Sequence, residues 1–395
     1  MRGGLRYKLS IVAVVYVIEG FPMGVFAKLL PVFLRRHDVS LTAIGGLSGL
    51  ALAWSAKALW SPLVDQYGER RQWIAGALLV MVGCLGALAV LDPVRIGAAI
   101  WVAIAIYCLA SATQDIAIDA YTIGFIDRGQ EGPANGMRFT AYRMGLVLAG
   151  GLLLLPRWVG WEGTFAAAAA LTLAMAASLL LCPKVAVPQE RRENTWEALR
   201  RWAGRSGVVW VALFVMLYRV GDRAMGPMVE PFWVDRGFTD EEIALVSSTL
   251  GVVAMVLGAI AGGTVVSRIG IGRSLWWLGL PALASNLAYA VAAALPDLGR
   301  APVYAASVVE SFCGGLASAA FMSYLMRICE KEHAAVQYAL LTALYAVIGT
   351  LVAVPSGWLT ERMGYAHYFA LTALYALPAF AVLTGARRWL DSWDA

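Results

Sequence analysis

Ionisable residues interrupt several long apolar stretches of this sequence, and these are the residues best placed to do chemistry in it. A charge inside an apolar helix is costly in a membrane, so it normally faces a partner or a water-filled cavity and marks an ion or substrate pathway. The acids of this kind are Glu19, Asp115, Asp119, Asp222, Glu230 and Glu310, and the bases are Lys28, Lys57, Arg143, Arg219 and Arg223.

Two of the acids, Asp115 and Asp119, are four residues apart, so a helix places both carboxylates on one face. Arg143, in the next apolar stretch, enters from the same side of the membrane and reaches a similar depth. We therefore predict an ion pair between Arg143 and one of the two aspartates. Two roles stay open for this pair: it senses protons or gates transport, or it is a static salt bridge between two helices.

A second group of charges lies further along the chain. Arg219 and Arg223 share a helix face, and Asp222 lies close to that face. Near mid-membrane, arginines in a cavity can bind a carboxylate or a phosphate of a ligand. The alternative is that Asp222 and Glu310 neutralise the arginines.

Three residues are accessory candidates. Lys28 can attract an anion, Glu310 can line the cavity as an acid, and Tyr142 can stack on a sugar or a heterocycle. The alternative for Tyr142 is ordinary packing. We group these three with Arg219 and Arg223 as predicted substrate-binding residues.

The acids in apolar stretches outnumber the bases by one, so one carboxylate is left over if all other charges pair. A buried acid without a cation can bind a proton at physiological pH, which is the elementary requirement for proton coupling. We predict that Glu19 or Asp119 carries this proton, and that Asp115, Arg143 and Asp222 take part in coupling or gating. Glu19 alternatively pairs with a basic residue.

The composition shows which elements must position these charges. The chain has 395 residues, of which 60% are hydrophobic and 14% charged, and its mean hydropathy is +0.69. Soluble domains carry about 25% charged residues, so we predict an all-α polytopic membrane protein. Spanning helices of about 20 apolar residues are predicted at 9–34, 42–62, 72–91, 97–126, 134–156, 163–182, 207–231, 241–266, 275–295, 301–327, 334–358 and 365–387.

These twelve predicted spans form two sets of six around a polar segment. The two sets resemble each other at a nearly constant shift of about 200 residues, in the pairs Pro31 and Pro231, Gly68 and Gly270, Tyr121 and Tyr324, Tyr142 and Tyr345, and Phe165 and Phe369. Such a duplication predicts alternating access to a central cavity by rocking one bundle against the other. We predict an N-terminal six-helix bundle at 1–183, a cytoplasmic linker at 184–206 and a C-terminal six-helix bundle at 207–395.

Lysine and arginine set the predicted topology. They concentrate in the segments that face the cytoplasm if both termini are inside, so the positive-inside rule predicts a cytoplasmic N-terminus and C-terminus. The first apolar run follows Arg2, Arg6 and Lys8 as a signal peptide does, but it continues to Leu34 without a small-residue cleavage site. It is therefore predicted to be a retained span.

A short polar loop after the second span contains Asp65, Gly68, Arg70 and Arg71, and a degenerate copy at 266–273 follows the eighth span. Gly68 permits a positive φ at the turn, and Asp65 can pair with an arginine or cap a helix. Both loops resemble the D-x-x-G-R-R loop of the major facilitator superfamily. The resemblance implies a latch at the inner gate; the alternative is a basic loop that only fixes topology.

Four motifs make the chain resemble the muropeptide permease and acetyl-CoA transporter family of that superfamily. They are Glu19-Gly20-Phe21-Pro22-Met23-Gly24, Lys57-Ala58-Leu59-Trp60-Ser61-Pro62-Leu63-Val64-Asp65, Gln114-Asp115 through Asp119-Ala120, and Tyr142-Arg143-Met144-Gly145. The resemblance implies a secondary transporter of the bacterial inner membrane that imports an organic anion, such as a muropeptide, together with protons. A CoA ester, a siderophore or an amphipathic drug stays open as the solute.

Other function classes find little support in the sequence. No P-loop for ATP is present, the three histidines lack metal-ligand spacing, and the five cysteines show no C-x-x-C pattern. The net charge of +5 is dispersed over short loops, which does not indicate nucleic-acid binding. We expect no enzyme activity, cofactor or metal, and a monomer whose partners are a small organic anion, protons and the lipid bilayer. An intramembrane acyltransferase needs a catalytic cluster that is not evident, and a non-transporting sensor stays open.

Overall fold

The computed structural model describes residues 4–91, 97–126, 131–185, 204, 207–328 and 334–391, and for a few residues inside its helices only the backbone is described. Within these ranges the regular structure is helical, and no strand occurs there. Every predicted span lies on a helical segment.

The helices of the described ranges are numbered α1 to α12 in chain order. In the first half they are α1 Leu5–Arg36, α2 41–66, α3 Arg70–Val90, α4 Ala98–Phe125, α5 Glu131–Gly151 and α6 Pro156–Leu181. In the second half they are α7 Val208–Leu217 with Val220–Asp235, α8 Asp240–Ile269, α9 Ile271–Ala294, α10 Ala301–Arg327, α11 Ala334–Ala353 and α12 Ser356–Tyr375 with Leu377–Asp391. Eight helices of the described residues are long and apolar enough to cross a membrane. The prediction of an all-α polytopic membrane protein is confirmed.

Two helical elements contain a bend close to a predicted span start. α6 begins at Pro156 and α12 at Ser356, and the predicted spans begin at 163 and 365. Each contains a glycine with positive φ, Gly160 at 67° and Gly364 at 77°, which bends the chain inside the element. The predicted spans therefore agree with the continuous helices that follow the bends, and the residues before each bend form a separate short helical piece.

Backbone geometry also follows the internal repeat. Gly68 has φ 70° and Gly270 has φ 81°, as expected for the loop and its copy, and Asp38 at 57° corresponds to Gly237 at 73°. Together with the two bent helices, these positions recur at the shift of about 200 residues that the sequence shows. Matched turns at one offset support a duplicated origin for the two halves.

The chain forms two compact units. Unit 1 comprises Met1–Val39, Leu50–Glu190 and Trp233–Thr249, and unit 2 comprises Ser40–Gly49, Arg191–Phe232 and Leu250–Ala395. Each unit therefore includes one short segment from the other half of the sequence. The predicted linker at 184–206 lies almost wholly outside the described residues, so the predicted domain limits stay a prediction.

Close helix packing in unit 1 brings three helices together around the in-span charges. A Cβ atom on Gly20 would collide with the Tyr142 carbonyl, and one on Gly145 would lie 2.5 Å from the Val17 carbonyl oxygen, so α1 and α5 are in backbone contact. The Gln114 amide donates a hydrogen bond of 3.0 Å to the Ile18 carbonyl, which fixes α4 against α1.

In unit 2, two tyrosines fix α7 against its neighbours. The Tyr218 hydroxyl donates to the Leu275 carbonyl on α9 at 2.8 Å, and the Tyr368 hydroxyl on α12 donates to the Ala224 carbonyl at 2.6 Å. The two pieces of α7 meet at residues 218–219. The part of α7 that carries Arg219, Asp222 and Arg223 is therefore fixed by hydrogen bonds to α9 and to α12.

Candidate functional site

Unit 1 contains a triad of an aromatic, a basic and an acidic residue, which we call the Tyr16–Arg138–Asp119 triad. The Tyr16 hydroxyl donates to Asp119 Oδ1 at 2.8 Å, and Arg138 Nη2 donates to the same oxygen at 2.5 Å. The Arg138 guanidinium carbon lies 4.7 Å from the centre of the Tyr16 ring. Asp119 is thus bound by a tyrosine hydroxyl and by an arginine that stacks on the same tyrosine.

Two more carboxylates adjoin the triad, and the five charged groups together form what we call the acidic cluster. Lys57 Nζ forms a close ion pair with Asp115 and lies 3.9 Å from Asp119 Oδ2. Glu19 lies near Asp115, and its buried Oε2 has no hydrogen-bond partner among the described residues. Three carboxylates therefore share two cations, Lys57 and Arg138.

The ion-pair partners differ from the predicted one. Asp119 binds Arg138 and Asp115 binds Lys57, whereas the sequence argument selected Arg143. Asp119 is six residues before the end of α4 and Arg138 is seven residues after the start of α5, so the two lie at similar distances from the adjoining helix ends. The guanidinium of Arg143 stacks on Phe139, with its carbon 4.4 Å from the ring centre.

In unit 2, Arg219 is engaged by protein groups. Its Nη2 lies 2.7 Å from Asp222 Oδ2, and its Nη1 donates to the Gly314 carbonyl at 2.7 Å and to the Ser318 hydroxyl. The side chains of Arg219 and Asp222 are only 12% and 17% exposed. This favours the neutralisation alternative for Arg219 over its predicted role as a free cation for a ligand.

Arg223, one turn further along α7, has a different environment. Its side chain is exposed, its Nε donates to the Tyr345 hydroxyl at 3.0 Å, and its guanidinium carbon lies 4.6 Å from the centre of the Tyr345 ring. Its stem packs against Gly349, where a Cβ atom would lie 3.0 Å from Arg223 Cγ. No ion-pair partner of Arg223 is found in the part of the chain that the structure describes.

The accessory candidates are spread over both units. The Glu310 carboxylate and the Arg219 guanidinium both lie close to Gly314. Glu310 accepts a weak hydrogen bond of 3.4 Å from Ser311. Lys28 in unit 1 donates to the Ser247 hydroxyl at 3.2 Å. Tyr142 is half-buried on α5, with its carbonyl against Gly20.

The predicted inner-gate loop is held by backbone contacts. Arg70 is buried and donates to the Val64 carbonyl, and Arg71 donates to the Cys182 carbonyl at 2.8 Å. The cap of α3 is Glu69 rather than Asp65, because Glu69 and Gln72 form a capping box. The side chain of Asp65 lies outside what the structure describes.

A further group of ion pairs in unit 1 was not predicted. It joins the segment Trp233–Thr249 to the ends of α1 and α6, through Arg35 to Asp235 at 2.5 Å, Arg36 to Asp240 at 2.8 Å and Arg157 to Glu241 at 3.0 Å. The first of these pairs spans 200 residues, the offset of the repeat.

Sequence reasoning missed four residues of the two charged groups. Lys57 was recognised as an in-span base but was not assigned to the site, and Arg138 falls within the predicted span 134–156 but was counted with the loop. Neither Tyr16 nor Tyr345 was assigned to the site. Comparing the distances of Asp119 and Arg138 from the adjoining ends of their two predicted spans would have found that pair.

The described residues contain no group of three or more His, Cys, Asp or Glu side chains with the geometry of a metal site. The described residues instead form two charged sites: an acidic cluster with one carboxylate in excess, and an exposed arginine that stacks on a tyrosine.

Comparison with known proteins agrees with this architecture. The sequence profile of the Major Facilitator Superfamily matches residues 12–353. The chain is 30% identical to the anhydromuropeptide permease of Escherichia coli, over 97% of this chain and 80% of that protein. It is 27% identical to a Rickettsia felis protein described as putative transporter AmpG 4, over 95% of this chain and 96% of that protein.

Solved structures show the same fold. A bacterial homologue of the human lysosomal transporter Spinster, in an inward-facing and unoccupied conformation, has a TM-score of 0.76 at 14% identity, with 98% of each chain covered. The nucleoside transporter NupG has a TM-score of 0.74 at 15% identity, with 96% of this chain and 98% of that chain covered. Together with the profile match and the helical membrane architecture, these similarities show that the chain belongs to the Major Facilitator Superfamily of transporters.

Proposed function

We propose that this protein imports an anionic, muropeptide-like solute across the bacterial inner membrane and couples this import to protons. The solute class is supported by the 30% identity to the Escherichia coli anhydromuropeptide permease over 97% of the chain. The observation that carries the coupling is the acidic cluster, in which three carboxylates inside membrane-spanning helices share two cations.

Glu19 is the carboxylate that we assign to the proton. Asp115 has Lys57 as its close partner, and Asp119 has both Arg138 and Tyr16, whereas Glu19 adjoins a second carboxyl group and leaves one buried oxygen without a hydrogen bond. Two neighbouring carboxyl groups in a low-dielectric site are stabilised by one shared proton. Loading and release of that proton would change the net charge of the cluster between zero and minus one.

The other charged residues take supporting roles in this proposal. Arg223 faces the solute, and Lys28, Tyr142 and Glu310 are accessory contacts. Arg219 and Asp222 stabilise α7 as a pair. The loop with Asp65, Gly68, Arg70 and Arg71 serves the inner gate, and Arg143 supports α5 during gating. We further propose that the protein acts as a monomer with both termini in the cytoplasm, as the distribution of Lys and Arg predicts.

The test is uptake of labelled anhydromuropeptide into proteoliposomes, with and without an outside-acidic gradient. We expect accumulation only with the gradient, and its loss on adding a protonophore. Accumulation should also be lost in Glu19→Gln and retained in Glu241→Gln, a matched control whose carboxylate lies in an exposed ion pair with Arg157. Equal uptake with and without the gradient would contradict proton coupling, and no uptake by correctly folded protein would remove the muropeptide as solute.

A further inference from the structure

We infer that Arg223 and Tyr345 form a subsite for one carboxylate group of the solute, with Tyr345 as the residue that positions the arginine. This inference rests on the proposed function in so far as the solute is an organic anion. It adds the chemical class of the group that binds, and it assigns a role to a tyrosine that sequence reasoning did not single out.

The Tyr16–Arg138–Asp119 triad shows what an arginine stacked on a tyrosine binds in this protein. There, one carboxylate oxygen accepts hydrogen bonds from the tyrosine hydroxyl and from the guanidinium. The distances from guanidinium carbon to ring centre are nearly equal in the two pairs, 4.7 Å for Arg138 and Tyr16 and 4.6 Å for Arg223 and Tyr345. The pair in unit 2 has the same two donors but no carboxylate of the described chain between them.

The donors of the unit 2 pair are available for a ligand. Because Arg223 uses its Nε for the Tyr345 hydroxyl, its two terminal nitrogens remain as a planar fork. The Tyr345 oxygen accepts that bond, so its own hydrogen is free to be donated. No described residue accepts from the fork or from this hydroxyl. A carboxylate fits this arrangement, since one of its oxygens can accept from a terminal guanidinium nitrogen and from the hydroxyl, as Asp119 Oδ1 does in the triad.

The surroundings of the pair favour a water-filled space over lipid. Arg223 is exposed, while the next two residues of α7, Ala224 and Met225, are at most 1% exposed. A charged side chain exposed on a membrane-spanning helix is tolerated where it faces water or a polar ligand, because exposure to hydrocarbon is costly. Arg219, on the same face, is occupied by Asp222 and is therefore outside the subsite.

Tyr345 can hold Arg223 in one orientation because it is itself fixed. Its ring packs on Phe321 with centroids 5.3 Å apart, and Gly349 one turn later leaves space for the arginine stem. The ring supplies a surface under the guanidinium, and the hydroxyl fixes Nε. Removing the hydroxyl alone should therefore weaken carboxylate binding without removing any charge.

The experiment compares two forms of one probe by titration calorimetry: anhydromuropeptide with free carboxylates, and the same compound with every carboxylate converted to an amide. We expect the wild-type protein to prefer the acid form by about 10- to 100-fold, the range for a hydrogen bond to a charged group. Arg223→Lys and Tyr345→Phe should bring this ratio close to one while leaving the affinity for the amide form unchanged. A merely structural role would weaken both forms equally.

Two variants serve as matched controls. Arg362→Lys alters another arginine stacked on an aromatic ring, that of Trp358, and Tyr7→Phe removes another hydroxyl on an exposed tyrosine. Both should keep the wild-type ratio. The inference is overturned if the wild type does not discriminate between acid and amide, if Arg223→Lys keeps the wild-type ratio, or if inorganic phosphate displaces the acid form as effectively as acetate does.

Its failure is distinguishable from failure of the proposed function. Binding of the acid form with loss of preference in both variants, but without gradient-driven uptake by the wild type, would reject transport of this solute and keep the subsite. Gradient-driven uptake by the wild type with an unchanged acid preference in both variants would keep the transport function and reject the subsite.

Discussion

The two halves of this transporter each place an arginine on a tyrosine ring, and they differ in what lies in front of the arginine. In unit 1, Asp119 occupies the donors of Arg138 and Tyr16, and two more carboxylates adjoin it. In unit 2, the fork of Arg223 has no carboxylate of the described chain. The same pair of side chains can thus retain an internal carboxylate in one half and receive an external one in the other.

A second contrast lies within α7 itself. Arg219 and Arg223 are four residues apart, yet among the described residues only Arg219 has an acidic partner, Asp222, and its guanidinium also donates to the Gly314 carbonyl. A buried charge must be paired to be tolerated, whereas a charge that faces water need not be. We therefore expect replacement of Arg219 to lower the free energy of unfolding more than replacement of Arg223 does.

The largest expected effect comes from breaking the Arg219 pair. Arg219→Met leaves Asp222 without its cation and should lower the free energy of unfolding by about 3–5 kcal/mol, as for other buried pairs with one partner removed. The double variant Arg219→Met with Asp222→Leu should recover most of that loss. Denaturation in detergent measures the free energy of unfolding of the single and the double variant. A large loss of stability in Arg223→Met, equal to that in Arg219→Met, would contradict the contrast between the two arginines.

Asp119→Asn should have the next largest effect. The asparagine keeps the shape of the side chain but removes the charge that Arg138, Lys57 and Tyr16 share, which should lower the free energy of unfolding by about 1.5–3 kcal/mol, the range for a hydrogen bond to a charged group. Gradient-driven uptake should also fall, because the net charge of the cluster becomes zero without a bound proton. Wild-type stability in this variant would show that the triad is not a stabilising element.

The two tyrosine hydroxyls offer a matched pair of smaller changes. Tyr16→Phe removes a donor to Asp119 and should lower the free energy of unfolding by about 1–2 kcal/mol, whereas Tyr345→Phe should change it by less than about 1 kcal/mol, because its hydroxyl bonds to an exposed arginine. Thermal unfolding of both variants, with Tyr7→Phe beside them, makes this comparison. The reverse order of losses would mean that the unit 2 pair is the structural one.

The smallest effect is expected at the exposed ion pair of Arg157 with Glu241. Arg157 is 57% exposed, and pairs of this kind contribute about 0–1 kcal/mol. Arg157→Met should therefore leave thermal unfolding near the wild-type value and should respond little to added salt. A loss as large as that of Asp119→Asn would show that the contacts of Trp233–Thr249 carry more of the stability of unit 1 than their exposure suggests.

Hydropathy and charge were sufficient to predict the all-α membrane fold, and they marked nearly every residue of the acidic cluster as unusual. They were not sufficient to pair the charges. Which carboxylate meets which cation depends on helix rotation and on local breaks, such as the short 3₁₀ turn Lys57–Leu59 that carries Lys57. Arg138 lies near a helix start, where a span boundary uncertain by a few residues decides whether it counts as loop or membrane.

The bent helices α6 and α12 show a related limit. The positive φ of Gly160 and Gly364 has no signature in hydropathy, so the predicted spans mark the helices that follow these glycines but do not show the bends. The repeat was visible from residue identities alone, but its agreement with backbone geometry required the structure. Residues of the same type at a fixed offset indicate common ancestry. Positions at which the two halves differ, above all Glu19 in the first half and Arg219 in the second, indicate where the halves took different roles.

The most direct test of the proton role of the acidic cluster is to follow the internal pH of proteoliposomes loaded with a pH-sensitive dye when anhydromuropeptide is added outside without any imposed gradient. If Glu19 carries the proton, the wild-type protein acidifies the interior as solute enters, and Glu19→Gln does not acidify it but still exchanges labelled for unlabelled solute. Acidification by Glu19→Gln at the wild-type rate would contradict the account.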